Sequence, residues 1–162
     1  MDYILLEIEE IPGESTLVGH EAKIELMSFS HGVSLPMQFN PSTNGRTIGR
    51  CQHGDFTVSK QVDMSTPSLN LYCCQGQNIP MATIICARAD GEAVLPIITY
   101  TLENCLVSSV SVSGGSGSSP METVTFNYTK ITWKVQAQND SAEGEESNIE
   151  KVWDLNTNAS NA

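Results

Sequence analysis

The segment from Ala93 to Ser113 constrains this chain more than any other. Its twenty-one residues carry apolar side chains on both faces, Leu95 and Ile97 against Ile98, Tyr100 and Leu102. A strand apolar on both faces must be covered on both sides, by its own domain or by another surface. At about 3.4 Å per residue it would overrun a small domain, so a bend or division near Asn104 is expected. The chain has 162 residues, which suits a single domain over 1–162 that buries roughly 70% of its unfolded surface. Such a core needs no disulfide or metal staple.

Other segments repeat the strand pattern. Ile4, Leu6 and Ile8 alternate with Leu5, Glu7 and Glu9, and Ala22, Ile24 and Leu26 alternate with Lys23 and Glu25, the period of two of half-buried strands. Residues 9–20 read as a loop. From Met27 to Val33 both faces become mixed, as in a strand that meets another protein surface. Phe56 and Val58 mark a further strand, and Met81–Ala89 joins the long one through an Asp90-Gly91 turn. Gly114 to Ser119 reads as a flexible connector. Across 123–138 the apolar phase moves from Val124, Phe126 and Tyr128 to Ile131, Trp133 and Val135, the mark of a bulge. Ile149, Val152, Trp153 and Leu155 suggest a last strand after an acidic link over about 139–147.

One helix signal interrupts the strands. Thr66 can cap, Pro67 suits a first helical position and Gly76 can end the helix in the left-handed region. Leu69, Tyr72 and Cys73 then share one face of a helix over about 67–75. Residues 34–50, with Pro36, Pro41, Ser42-Thr43-Asn44-Gly45, Arg46 and Arg50, form a long loop of the kind that carries function or an interface. The fold class is all-β with one short α-helix, a small β-barrel or two-sheet sandwich.

Charge narrows the function. The formal net charge is -11, and nucleic-acid binding needs a basic stripe that this chain lacks. The acidity sits at the two ends, residues 1–25 and 139–162, and the middle is neutral, which suits association. No apolar run approaches the roughly 18 residues of a membrane span. Met1-Asp2-Tyr3-Ile4-Leu5-Leu6-Glu7 lacks the basic start of a Sec signal, so synthesis in a reducing compartment is expected. The 5 cysteines, Cys51, Cys73, Cys74, Cys86 and Cys105, have no CxxC spacing and read as reduced structural thiols.

Catalytic constellations are weak. Cys51 or Cys73/Cys74 could be nucleophiles with His20, His31 or His53 as base, yet no orienting acid or oxyanion loop can be named. Cys51 and His53 could bind metal, but no second ligand pair follows at zinc spacing. The glycines of 114–117 lack the Lys-Ser/Thr of a P-loop. No cofactor is expected. A soluble β-sandwich that binds a glycan or peptide is the alternative, and its stacking residues would be Tyr72, Tyr100, Tyr128, Trp133 and Trp153.

The order of several short motifs resembles a family. Gly13-Glu14-Ser15 follows the first strand, and Phe29-Ser30-His31-Gly32 ends the second. Phe56-Thr57-Val58-Ser59-Lys60-Gln61-Val62-Asp63 leads to Ser65-Thr66-Pro67-Ser68-Leu69. Then come Ile79-Pro80-Met81-Ala82, the segment Leu102 to Ser111, Glu122 to Trp133, and Trp153-Asp154-Leu155-Asn156. In register over about residues 3–157, these pieces resemble the haemolysin-coregulated proteins (Hcp), the tube components of bacterial type VI secretion. The most specific are Lys-x-x-Asp-x-x-Thr-Pro-x-Leu and Leu-Val-Ser-Ser-Val-Ser.

The resemblance implies a non-enzymatic structural subunit. Six copies form a ring, rings stack into a hollow tube inside a contractile sheath and beneath a spike protein, and contraction drives the tube out of the cell. Cytoplasmic assembly followed by secretion without a Sec signal is thereby implied, as is effector cargo in the lumen. The 34–50 loop aligns with the family's extended loop, which reaches a neighbouring ring or subunit. Family versions are often glycine-rich there; this one offers Phe39, Arg46 and Arg50 as interface residues. The 114–119 loop resembles a segment near the lumen, which makes Ser116 a candidate effector contact.

Overall fold

The computed structural model describes residues 2–137 and 148–160; the expected link over 139–147 lies outside them. The elements run in order β1 (Asp2–Glu7), β2 (Ile24–Leu26), β3 (Ser28–Ser30), β4 (Val33–Ser34), β5 (Met37–Asn40), β6 (Gly45–Ile48), β7 (Gln52–His53), β8 (Phe56–Gln61) and α1 (Thr66–Gln75). They continue with β9 (Ile79–Asp90), β10 (Ala93–Gly115), β11 (Ser118–Asn127), β12 (Lys130–Gln136) and β13 (Asn148–Asp154).

β10 organises the architecture. Its first part pairs with β9 over Ala93–Cys105 and, on its other edge, with β12. From Leu106 onwards it pairs with β11 instead. The change of sheet falls at Asn104, whose φ is +52°, a left-handed value that asparagine tolerates better than most residues. The expected division is therefore present, and one strand serves two sheets. One sheet has the order β2-β1-β9-β10-β12-β13, the other β10-β11-β8-β3. Only Met27 separates β2 from β3, and its N–H donates to the Ser59 carbonyl at 2.8 Å. No ladder joins β2 to β3, so the fold is a two-sheet sandwich rather than a hydrogen-bonded closed barrel.

The core between the sheets holds Leu6, Ile24, Phe56, Val58, Ile84, Leu102, Val124, Phe126 and Ile131, with Leu69 of α1 sealing it. Tyr72 and Cys73 pack beside Leu69, the face expected from their spacing. Pro67 lies in the first helical turn and Gly76 ends the helix at φ +60°. Ser65 holds the N-cap position, however, and makes no capping side-chain bond. Thr66 does not cap because its hydroxyl is engaged in a buried network, described below.

Four expectations are corrected. Leu5 is buried along with Leu6, because Leu17 of the 9–20 segment covers Leu5, Ile85 and Ala87 on the outer face of the first sheet. Gly114–Ser119 is not a slack connector: β10 and β11 run into it and turn at Ser116-Gly117, with Gly117 at φ +92°. The β9–β10 turn uses Gly91-Glu92, one residue later than expected. The phase change after Tyr128 is no bulge, since β11 and β12 belong to different sheets and the chain crosses between them at Tyr128-Thr129.

The fifth correction bears on function. Residues 34–50 contain a β-hairpin, with β5 and β6 paired from Met37↔Ile48 to Asn40↔Gly45 and with β4–β7 pairing at its root. Pro36 and Pro41 flank β5 without entering it, the positions where a missing N–H does no harm. Asn44 takes φ +52° at the tip. At the far end the Gly49 N–H donates to the Pro36 carbonyl at 2.8 Å, and a Cβ on Gly49 would lie 2.9 Å from Pro36 Cγ. Only glycine closes this end of the arm.

Candidate assembly interface

The arm has two faces of different chemistry. Cross-strand partners share a face, and that face recurs every second residue. Met37↔Ile48 and Phe39↔Arg46 therefore lie together, with Gln38, Thr47, Asn40 and Gly45 on the reverse. Met37, Phe39 and Ile48 are 57%, 66% and 62% exposed. Two strands alone are marginally stable in water, and three large apolar groups on one exposed face are the mark of an interaction surface. Phe39 and Arg46, expected at an interface, are thus direct neighbours. Met37 and Ile48 complete the face; their alternation was readable but short, and the flanking prolines masked it.

Arg50 sits elsewhere. It lies at the arm's exit, exposed, and its guanidinium donates to the backbone carbonyl of Leu155. It thereby ties the arm's base to the segment after β13. Ser116 is also remote, at the exposed tip of the β10–β11 hairpin.

The arm's root is an aromatic cluster. His31, just before β4, stacks on Phe56 with ring centres 5.4 Å apart, and His53 of β7 stacks on Trp133 at 6.1 Å. The Tyr128 hydroxyl lies 2.9 Å from His53 Nδ1 and 3.4 Å from His31 Nδ1. Burial holds both imidazoles below the ordinary histidine range, and for His31 the neighbouring His53 adds to the effect. Burial likewise raises the Tyr128 phenol well above its usual value. Three groups that sequence reading weighed as bases or stackers are therefore neutral packing groups that hold the arm to the sandwich.

The family-like motif Lys-x-x-Asp-x-x-Thr is a buried charge network. Lys60 is 0% and Glu122 1% exposed. Lys60 Nζ lies 2.9 Å from Glu122 Oε2 and 2.8 Å from Asp63 Oδ1. The Thr66 hydroxyl donates to Glu122 Oε2 at 2.7 Å, and Ser65 donates its N–H and hydroxyl to Asp63. This network fastens the β8–α1 junction onto β11. It is structural, and Glu122 was the member that sequence spacing could not supply.

The other chemical candidates are not assembled. No hydrogen bond joins Cys51 to His53 among the described residues, and Cys73 packs against the core. No cluster of three or more metal-ligating side chains occurs among the described residues. Tyr72, Tyr100, Trp133 and Trp153 pack against the core and Tyr128 is buried, so none stands out as a glycan platform. No helix among the described residues is long and apolar enough to cross a membrane.

Comparison with known proteins places the fold. Residues 5–135 match the family described as "Type VI secretion system effector, Hcp". The protein hcp1 of Pseudomonas aeruginosa is 28% identical over 156 residues, covering 96% of both chains. A solved structure described as a type six secretion system protein superposes with a TM-score of 0.90 at 26% identity, covering 99% of this chain and 100% of its own. Hcp1 from Salmonella typhimurium shares the fold with a TM-score of 0.81 at 22% identity, over 98% of each chain. The chain belongs to the Hcp family of type VI secretion system proteins.

Proposed function

We propose that this chain is a non-enzymatic subunit of a type VI secretion tube, assembling into six-fold rings that stack into a hollow conduit. The observation that carries the reading is the arm. Its apolar face is uncovered in the single chain, and family membership supplies the partner: further copies of the same protein. A ring needs a head-to-tail interface between identical subunits, and the edge strands β3 and β13 offer backbone groups that such an interface covers. Phe39 and Arg46 lie on the stacking face, and Arg50 sets the arm's base. Spike, sheath and effector proteins are the remaining partners, with Ser116 on a tip that would meet effector cargo in the lumen. The tube leaves the cell on sheath contraction.

Native mass measurement at micromolar concentration tests the ring. The expected species is six chains. A strictly monomeric protein at every concentration would remove the reading.

A further inference from the structure

A groove of about 410 Å3 opens where β2 meets the end of β8, lined by Glu14, Glu25 and Asp63 together with Met27 and Val62. Glu14 and Glu25 are exposed, and neither has a cationic partner among the described residues. The ammonium of Lys60, which pairs with Asp63 of the groove lining, is buried and also committed to Glu122. Met27 and Val62 are exposed apolar groups, and the neighbouring Met64 is too. The groove therefore combines negative charge with an apolar rim. The arm presents the complement, Arg46 among Met37, Phe39 and Ile48, and Arg46 has no carboxylate partner among the described residues.

The two surfaces lie at opposite ends of one ladder. β3 and β8 pair from Ser28↔Ser59 to Ser30↔Thr57. The groove borders the Met27 and Gln61 end. The arm's root, His31 stacked on Phe56, borders the other. Five residue steps of β8 separate these ends by roughly 17 Å. Two different, complementary surfaces at opposite ends of one ladder make a heterologous contact, which can repeat along a stack instead of closing on itself.

We propose that the Glu14–Glu25–Asp63 groove is the socket for the arm of a second copy of this chain in the next ring. Arg46 then lies between the Glu14 and Glu25 carboxylates, and Phe39 with its apolar neighbours covers Met27 and Val62. Opposite charges fix the register and disfavour arm-to-arm or groove-to-groove pairing. The inference rests on the tube-subunit reading, and its test separates the two.

Rings of Arg46→Cys and of Glu25→Cys, both also carrying Cys74→Ser to remove an exposed thiol, are purified separately and confirmed as six-chain species. They are then mixed with a short bis-maleimide linker whose span matches an Arg–Glu ion pair. A direct disulfide would need the Cα atoms within about 7 Å, closer than two paired long side chains require, and the linker bridges that difference. The expected product on a non-reducing gel is a dimer containing one chain of each variant, lost when Val112→Cys replaces Glu25→Cys. Rings that form normally but give no dimer above that control overturn the socket and leave the ring reading intact. Absence of rings in the unmodified protein overturns both. If a variant fails to assemble, the Phe39→Cys and Met27→Cys pair carries the same test with the same two outcomes.

Discussion

Replacing Lys60 with methionine tests the buried network most sharply. Lys60 and Glu122 are fully enclosed, and Asp63 is nearly so. Without the ammonium, two carboxylates are left side by side, with Glu122 fully buried. Glu122 is the worse placed, since its Oε1 already has no hydrogen-bond partner. Removing one member of a buried ion pair costs about 3–5 kcal/mol, a large share of the roughly 5–15 kcal/mol that holds a domain together. For a chain of this length, that loss corresponds to a fall in Tm of roughly 10 °C. The Lys60→Met/Glu122→Leu double variant removes both charges, and Asp63 keeps its bonds from Ser65. It should recover at least half of the loss. Thermal unfolding followed by near-UV circular dichroism measures this, at one protein concentration because assembly adds stability by mass action. A Lys60→Met change of less than about 1 kcal/mol, or a double variant as unstable as the two single losses combined, would refute the reasoning.

Three further outcomes are expected. Arg46→Ser should leave chain stability unchanged and weaken ring stacking more at low than at high salt, since screening already suppresses the pair at high salt; sedimentation at two ionic strengths reads this. Arg50→Ser should instead lower Tm slightly, at a cost of about 1 kcal/mol for the lost bond to Leu155, and speed proteolysis of the segment after β13. His31 and His53 have folded pKa values depressed by burial, so the unfolded chain takes up protons first as pH falls. Their contribution is complete above the ordinary 6.5 and is lost as pH falls through the folded values; His31→Phe should therefore lessen the drop in Tm between about pH 8 and about pH 5. With iodoacetamide, Cys74 should label readily, while Cys105, buried with its thiol pushed up to about 12, should label only on unfolding; peptide mass mapping distinguishes them.

The sandwich was legible wherever one local rule dominated. Pro67 and Gly76 bracketed the helix because each carries a backbone preference of its own. The length and double-sided apolarity of β10 forced its division, and Asn104 was the residue able to take it. The arm was harder to see. Four-residue strands give little periodicity, and Pro36, Pro41 and Ser42-Thr43-Asn44-Gly45 read as loop although they only frame and turn the hairpin. The Lys60 network was visible as a motif but not as a buried one, since lysine and glutamate are rarely enclosed and Glu122 comes from a distant strand. The aromatic root was hidden for the same reason: His31, His53, Tyr128 and Trp133 meet only after the chain crosses between sheets. The groove likewise unites residues 14, 25 and 63, which no spacing rule connects. Charge partition did point towards it, because Glu14 and Glu25 belong to the acidic first 25 residues.

A tube subunit must form rings and join them through its arm. Negative-stain electron microscopy of the purified protein tests this most directly. Six-fold annuli, with end-to-end stacks that shorten in Arg46→Ser at low salt, are the expected images. A field of isolated small particles without annuli, at concentrations where related rings would form, would contradict it.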